Sequence, residues 1–272
     1  MIPAAFDYIR AGSADEALAA LAEHGDDAKL MAGGHSLIPL MKFRLVTPGV
    51  VVDVGGLNGD LRGISVDDDT VRIGALTRHS ELEHSAELKE ACPMLAHVAS
   101  LVGDPAVRHR GTLGGSLAHA DPASDLPAAA IALKATLVAR GPNGEREIAI
   151  DDFFAGFLES ALAPDELLTE VRVPVSTGGW AYEKFNRRAQ DWAIVAAAVA
   201  EGGSGVALVN MGATPLRAAG VEAAVASGAA ASDAAAAAAD DTSPPTDNNG
   251  DAEYRSHLAR VLTGRALTTA GA

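Results

Sequence analysis

The sequence predicts an α+β chain, built as two small α/β units followed by a C-terminal α+β segment. Three observations carry this prediction: an amphipathic helix framed by short apolar runs at the start, two hairpin signatures around a helical stretch in the middle, and apolar strands followed by alanine-rich helices at the end.

Taken in order, Ser13 and Glu16 have capping-box spacing, and Ala17, Leu18, Leu21 and Ala22 share one helical face before Gly25 offers a stop. A helix over 14–24 follows. KLMAGG and VVVDVGG are short apolar runs ending in glycines, and with SLIPLMKFRLVTPG between them they read as strand, loop and helix, strand. This first unit spans about 1–56. LRGISV and TVRIGAL flank the turn Asp67-Asp68-Asp69, while ATLVAR and REIAI flank Pro142-Asn143-Gly144, giving two hairpins. A helical stretch from about 80 to 102, restarted at Pro93, lies between them. ELLTEVRVP reads as a strand closing this second unit near Pro174, so the first domain is expected over 1–176, with subdomains of about 1–56 and 57–176. In the remaining domain, 177–272, YEKFN, AIVAAAV and VALVNMG read as strands, then LRAAGVEAAVASG and YRSHLARVLTGRAL as helices. Residues 229–251 have the composition of a linker, although their alanine run is a good helix former.

Composition narrows the function classes. Lysine and arginine number 21 against 36 acidic residues, a formal charge of −15 that repels a phosphate backbone and speaks against nucleic acid. Cys92 is the single cysteine, so the chain forms no internal disulfide and cannot ligate an iron–sulfur cluster by itself. The start MIPAAFDYIRAGS lacks a basic region followed by an apolar one, and no run of about 18 apolar residues occurs, so no membrane span and a cytoplasmic location are expected. The eight histidines are scattered, against a zinc site; His79 and His84, among acidic residues, read as solvated.

Two segments concentrate small residues, hydroxyls and unhindered amides: Ala32-Gly33-Gly34-His35-Ser36 and Thr112-Leu113-Gly114-Gly115-Ser116. Consecutive glycines let N–H groups converge with no Cβ in the way, a geometry that suits a pyrophosphate, and equally that of a tight turn. No glycine is followed by lysine, which excludes a P-loop, and neither GxGxxG nor GxSxG occurs, so a dinucleotide site here needs another architecture. After the second segment, SLAHADPASDLP brings His119, Asp121, Ser124 and Asp125 close together ahead of an apolar helix, where Ser124 or Asp125 can serve as an N-cap.

In this order, AGGHS with SLIPLMKFRL, RGTLGGSLAHADPASDLPA, ELLTEVRVP, KFNRRAQDWAIVAAAV, VNMGATPLRA and YRSHLARVLTGRAL resemble the FAD-binding medium subunits of molybdenum hydroxylases, of the carbon monoxide dehydrogenase type and their xanthine dehydrogenase relatives. The resemblance implies a vanillyl-alcohol-oxidase or PCMH-type FAD-binding fold with a C-terminal domain alongside. It implies non-covalent FAD, wrapped at its pyrophosphate and ribityl chain by Ala32, Gly33, Gly34, His35, Ser36 and Leu37 and by Thr112, Gly114, Gly115 and Ser116. Asp125 would be a polar anchor, and Leu168 and Lys184 would touch the flavin. An ammonium there would stabilise the negative charge that reduction places on the ring; alternatively Lys184 pairs with Glu183 or Asp191 at the surface. Relatives often carry Asn where this chain has Ser116, and they keep a similar Pro-Pro stretch before the last helix, which implies partial order in 229–251.

The same resemblance implies an electron-transfer oxidoreductase subunit with no catalytic or metal-ligating residues of its own for the primary substrate. Molybdopterin would sit on a large subunit and 2Fe-2S clusters on a small one, assembled as a dimer of heterotrimers that hands electrons to an external acceptor. The alternatives are a free-standing flavoprotein oxidoreductase of the same fold and an assembly subunit that binds no cofactor. The intact glycine segments speak against the second.

Overall fold

The computed structural model describes residues 1–57 and 59–272. Its first unit alternates β1 (Asp7–Arg10), α1 (Ala14–His24), β2 (Ala28–Met31), α2 (Leu37–Phe43) and β3 (Val50–Asp53). The strands run parallel in the order β1-β3-β2. Ser13 Oγ accepts from the Glu16 amide at 3.1 Å as the spacing predicts, and the Glu16 carboxylate returns to the Gly12 amide at 2.7 Å, which fixes the first turn of α1. Ala17, Ala20 and Leu21 then bury against Val50 and Val52. The sequence reading has no β1, because DYIR is largely exposed and carries no apolar alternation.

The second unit contains β4 (Ile64–Asp67), β5 (Thr70–Gly74), α3 (His79–His84), α4 (Ala86–Ala91), α5 (Pro93–Ser100), α6 (Pro105–Arg108), α7 (Leu113–His119), α8 (Asp125–Ala132), β6 (Thr136–Gly141), β7 (Gly144–Ala149), β8 (Phe154–Gly156), β9 (Glu159–Ser160) and β10 (Leu167–Pro174). Both expected hairpins form, as β4–β5 and β6–β7. β10 inserts between them, giving an antiparallel sheet of order β4-β5-β10-β6-β7. The strand expected to close this unit is therefore its centre, and burial of Val171 and Val173 at 1% and 0% exposure is the reason. The expected helical stretch is cut into three, where Ser85 caps α4 through the Leu88 amide and Pro93 opens α5. Cys92 lies enclosed at the α4–α5 junction, and burial pushes its thiol up to about 11.

The C-terminal part is an antiparallel meander of β11 (Ala181–Phe185), β12 (Val195–Ala200), β13 (Gly205–Val209) and β14 (Leu216–Arg217), followed by α9 (Ala219–Ala226), α10 (Ala231–Ala234), a 3₁₀ turn over Ala235–Ala239, and α11 (Ala252–Ala270). Period-two alternation assigns its two faces. Ala196, Ala198 and Ala200 join the core around α8, while Val195, Ala197 and Val199 join the core beneath α11. α8 is buried on every side, as a helix sandwiched between two sheets must be. The alanine run folds as a short α turn continued by 3₁₀, with Ala234, Ala235 and Ala238 packed into the α11 core. Arg255 of α11 is wholly buried, donating to the Ile194 carbonyl and to Asp247. Among the described residues no helix is long and apolar enough to cross a membrane.

Candidate functional site

Between the first and second units lies a cleft of about 690 Å³, a size that suits an extended organic cofactor. Ala32, Gly33, Gly34, His35, Ser36 and Leu37 form one wall, running from the end of β2 into α2. Gly34 is in the left-handed region at φ +76°, which turns the chain away from the strand. The amides of Ile38 and Leu40 are bonded to the Gly34 and Ser36 carbonyls, at 3.0 and 3.2 Å. By contrast, among the described residues the five consecutive amides from Gly33 to Leu37 find no acceptor within the chain. A run of unpaired amides lining a cleft is a nest for anionic oxygens.

The second glycine segment is a different object from the turn that its Gly-Gly suggests. Thr112 is the N-cap of α7, its Oγ1 accepting from the Gly115 amide at 3.2 Å, and Gly114, Gly115 and Ser116 lie in the first turns of the helix. Thr112, Gly114, Gly115 and Ser116 all line the cleft opposite the first wall. The Gly114 amide is itself bonded to the Ala75 carbonyl at 2.8 Å, so the glycines here have a packing reason. A Cβ on Gly33 would stand 2.1 Å from the Arg110 carbonyl oxygen, and one on Gly114 would stand 2.6 Å from the Ala75 Cβ. The walls meet backbone to backbone only because these side chains are missing.

Asp125 and Leu168 also line the cleft, with Gln190, Asp191 and Trp192 from the segment before β12. Leu168 sits at a register shift between β10 and β6, a bulge that ends the regular ladder beside the cleft. Asp125 opens α8 and is nearly enclosed, with Oδ1 accepting from Tyr182 Oη at 2.6 Å and Oδ2 from Lys184 Nζ at 2.9 Å. Lys184 Nζ also donates to the Leu101 carbonyl at 3.2 Å. Burial pushes the Asp125 carboxyl up against the lowering influence of Lys184 and Tyr182, and burial with the neighbouring carboxylate pushes the Tyr182 phenol well above its usual value. Lys184 is therefore behind the cleft wall. It forms a buried pair with Asp125 in place of a surface pair with Glu183 or Asp191, and Arg188 is the residue that bonds Asp191, at 2.9 Å. Ser124 lines the cleft without capping α8 through its side chain.

One lining residue runs against the sequence reading. His79 is not solvated: it is 4% exposed, lies in the cleft wall, and is pushed down to about 4 by burial, with His35 and Arg108 acting in the same direction. HSELEH reads as a polar helix, whereas in the fold the Gly111 backbone closes over one edge of the ring. His84, on the same helix, is exposed as expected.

A cleft of this size, walled by acceptor-free amides on one side and a capped glycine-rich helix on the other, suits a dinucleotide whose pyrophosphate needs N–H donors. Comparison with known proteins agrees. The family described as FAD binding domain in molybdopterin dehydrogenase matches residues 4–176, and the CO dehydrogenase flavoprotein C-terminal domain matches 180–270. The chain is 41% identical over 285 residues to the carbon monoxide dehydrogenase medium chain of Hydrogenophaga pseudoflava, covering 100% of this chain and 99% of the relative. It is 37% identical over 284 residues to caffeine dehydrogenase subunit beta of Pseudomonas sp. strain CBB1, covering 99% and 96%. The solved carbon monoxide dehydrogenase from Hydrogenophaga pseudoflava which lacks the Mo-pyranopterin moiety superimposes with a TM-score of 0.94 at 42% identity, covering 100% of this chain and 99% of that one. The chain belongs to the FAD-binding family of the molybdopterin dehydrogenases and is an oxidoreductase subunit. Its likeness to carbon monoxide dehydrogenase medium chains runs the full length of both.

Proposed function

We propose that this chain is the FAD-bearing electron-transfer subunit of a molybdenum hydroxylase of the carbon monoxide dehydrogenase type, placed between an iron–sulfur subunit and an external acceptor. The observation that carries the site is the row of five acceptor-free amides from Gly33 to Leu37 facing the capped start of α7 across the cleft. Ala32 to Leu37 and Thr112, Gly114, Gly115 and Ser116 hold the pyrophosphate and ribityl chain. Leu168 packs on the flavin, while Asp125 and Lys184 fix that wall as a buried pair. When bound, FAD supplies a centre that can take up single electrons and give up a pair. The protein's own part is to bind it without covalent attachment, to orient it, and to keep the wall behind it dry.

Electrons must enter from outside the chain, since one cysteine cannot supply the four thiolates of a cluster. An iron–sulfur small subunit and a molybdenum large subunit are the partners, arranged as a dimer of heterotrimers. The test is to purify the tagged chain alone and with its co-expressed neighbours. Both preparations should be yellow, and only the second should hold iron and molybdenum and reduce a dye with carbon monoxide. A lone yellow chain that turns over a substrate without either metal would replace this reading with a free-standing flavoenzyme.

A further inference from the structure

His79 opens α3, and its amide donates to the Gly111 carbonyl at 3.0 Å. That bond lays the imidazole over Gly111, where an added Cβ would be 2.7 Å from both Cδ2 and Nε2. Nδ1 is fully enclosed and has no partner among the described residues, whereas Nε2 is not among the enclosed atoms, and the residue lines the cleft. An enclosed N–H without an acceptor is costlier than an enclosed lone pair, so the neutral ring carries its proton on Nε2. What a leucine at this enclosed position would lack is an N–H at the cleft wall. His35, at the centre of the acceptor-free amides, lines the same cleft as the ring, so both face the group that those amides would hold.

We propose that His79 is a further FAD-binding residue, a neutral donor whose Nε2–H bonds a pyrophosphate oxygen. This rests on the reading that the cleft holds FAD and adds a residue to it. In the full chain stripped of flavin, FAD binding is followed by quenching of flavin fluorescence, and ADP binding by competition with FAD. His79→Leu should weaken both ligands about tenfold, the scale of one hydrogen bond to a charged group, without lowering the melting temperature of the flavin-free protein. His79→Gln, which retains an N–H at a similar reach, should recover most of the loss. Wild-type protein labelled with ¹⁵N at histidine gives a check independent of any variant: the His79 Nε2 resonance should move on adding ADP. Unchanged FAD affinity in His79→Leu overturns the proposal, as does a loss for FAD with none for ADP. If His79→Leu does not fold, a His79 resonance indifferent to ADP overturns it. Wild-type protein that binds no flavin would instead remove the cleft reading beneath it.

Discussion

A methyl on Gly33 would stand 2.1 Å from the Arg110 carbonyl oxygen, a backbone atom with nowhere to go. Gly33→Ala should therefore destabilise the chain by about 2 kcal/mol and weaken FAD binding together, measured by urea unfolding and flavin titration. Asp125→Ala should cost roughly 3 kcal/mol, because it leaves the Lys184 ammonium, 7% exposed, buried and unpaired; Asp125→Ala with Lys184→Met should recover most of that loss in the same assay. His79 gives a pH dependence whose sign is fixed. Its folded value is about 4 against an ordinary 6.5, so between these pH values the unfolded chain binds more protons and stability falls as pH drops. The loss should reach about 3 kcal/mol near pH 4, and His79→Gln should flatten it in urea titrations of flavin-free protein at pH 7 and pH 5. The amides of Gly33 and Gly34 are legible in the sequence, since only glycine frees the backbone in this way. The histidine is not, because its burial depends on a residue 32 positions away in the chain.

Elements that follow from local chemistry, such as α1 with its Ser13 cap and the two hairpins with their turns, match the sequence reading closely. Those that depend on distant partners do not. β10 is indistinguishable from an edge strand until β5 and β6 flank it, and Gly114-Gly115 reads as a turn because glycine is a poor helix former until Thr112 and the contact with Ala75 hold it in α7. The alanines of β12 mark a contact that side chains larger than a methyl would prevent. Ala198→Leu should overpack the space between β12 and α8 and cost about 3 kcal/mol by urea unfolding, with no effect on the position of the flavin absorbance band in protein that stays folded. Fluorescence-monitored melting would show the same change as a lowered midpoint.

Across the whole molecule, the middle and C-terminal sheets share one core through α8, while the first unit packs on a separate core that Leu61, Leu76 and Leu167 of the second unit enter, beside the cleft that both line. A ligand in that cleft ties the two together by hydrogen bonds and packing, and of the histidines that line it, His35, His79 and His119, only His35 is exposed. Acid precipitation should thus release all yellow colour into the supernatant; a yellow pellet would show a covalent link. Hydrophobic patterning and the two glycine segments make the three-part architecture and two stretches of the cleft wall readable in advance, while the buried Asp125, Tyr182 and Lys184 cluster is assembled from residues 57 and 59 positions apart, a distance over which spacing carries no signal.

Cys92 has one more consequence. With its thiol pushed up to about 11 and no exposed surface, only about one molecule in ten thousand would hold the reactive thiolate at pH 7 even if a reagent could reach it. Alkylation must therefore wait for the α4–α5 junction to open. Because that junction belongs to the core shared by the middle and C-terminal sheets, the labelling rate of this single sulfur counts how often the larger body of the molecule breathes, while openings of the first unit alone pass unrecorded.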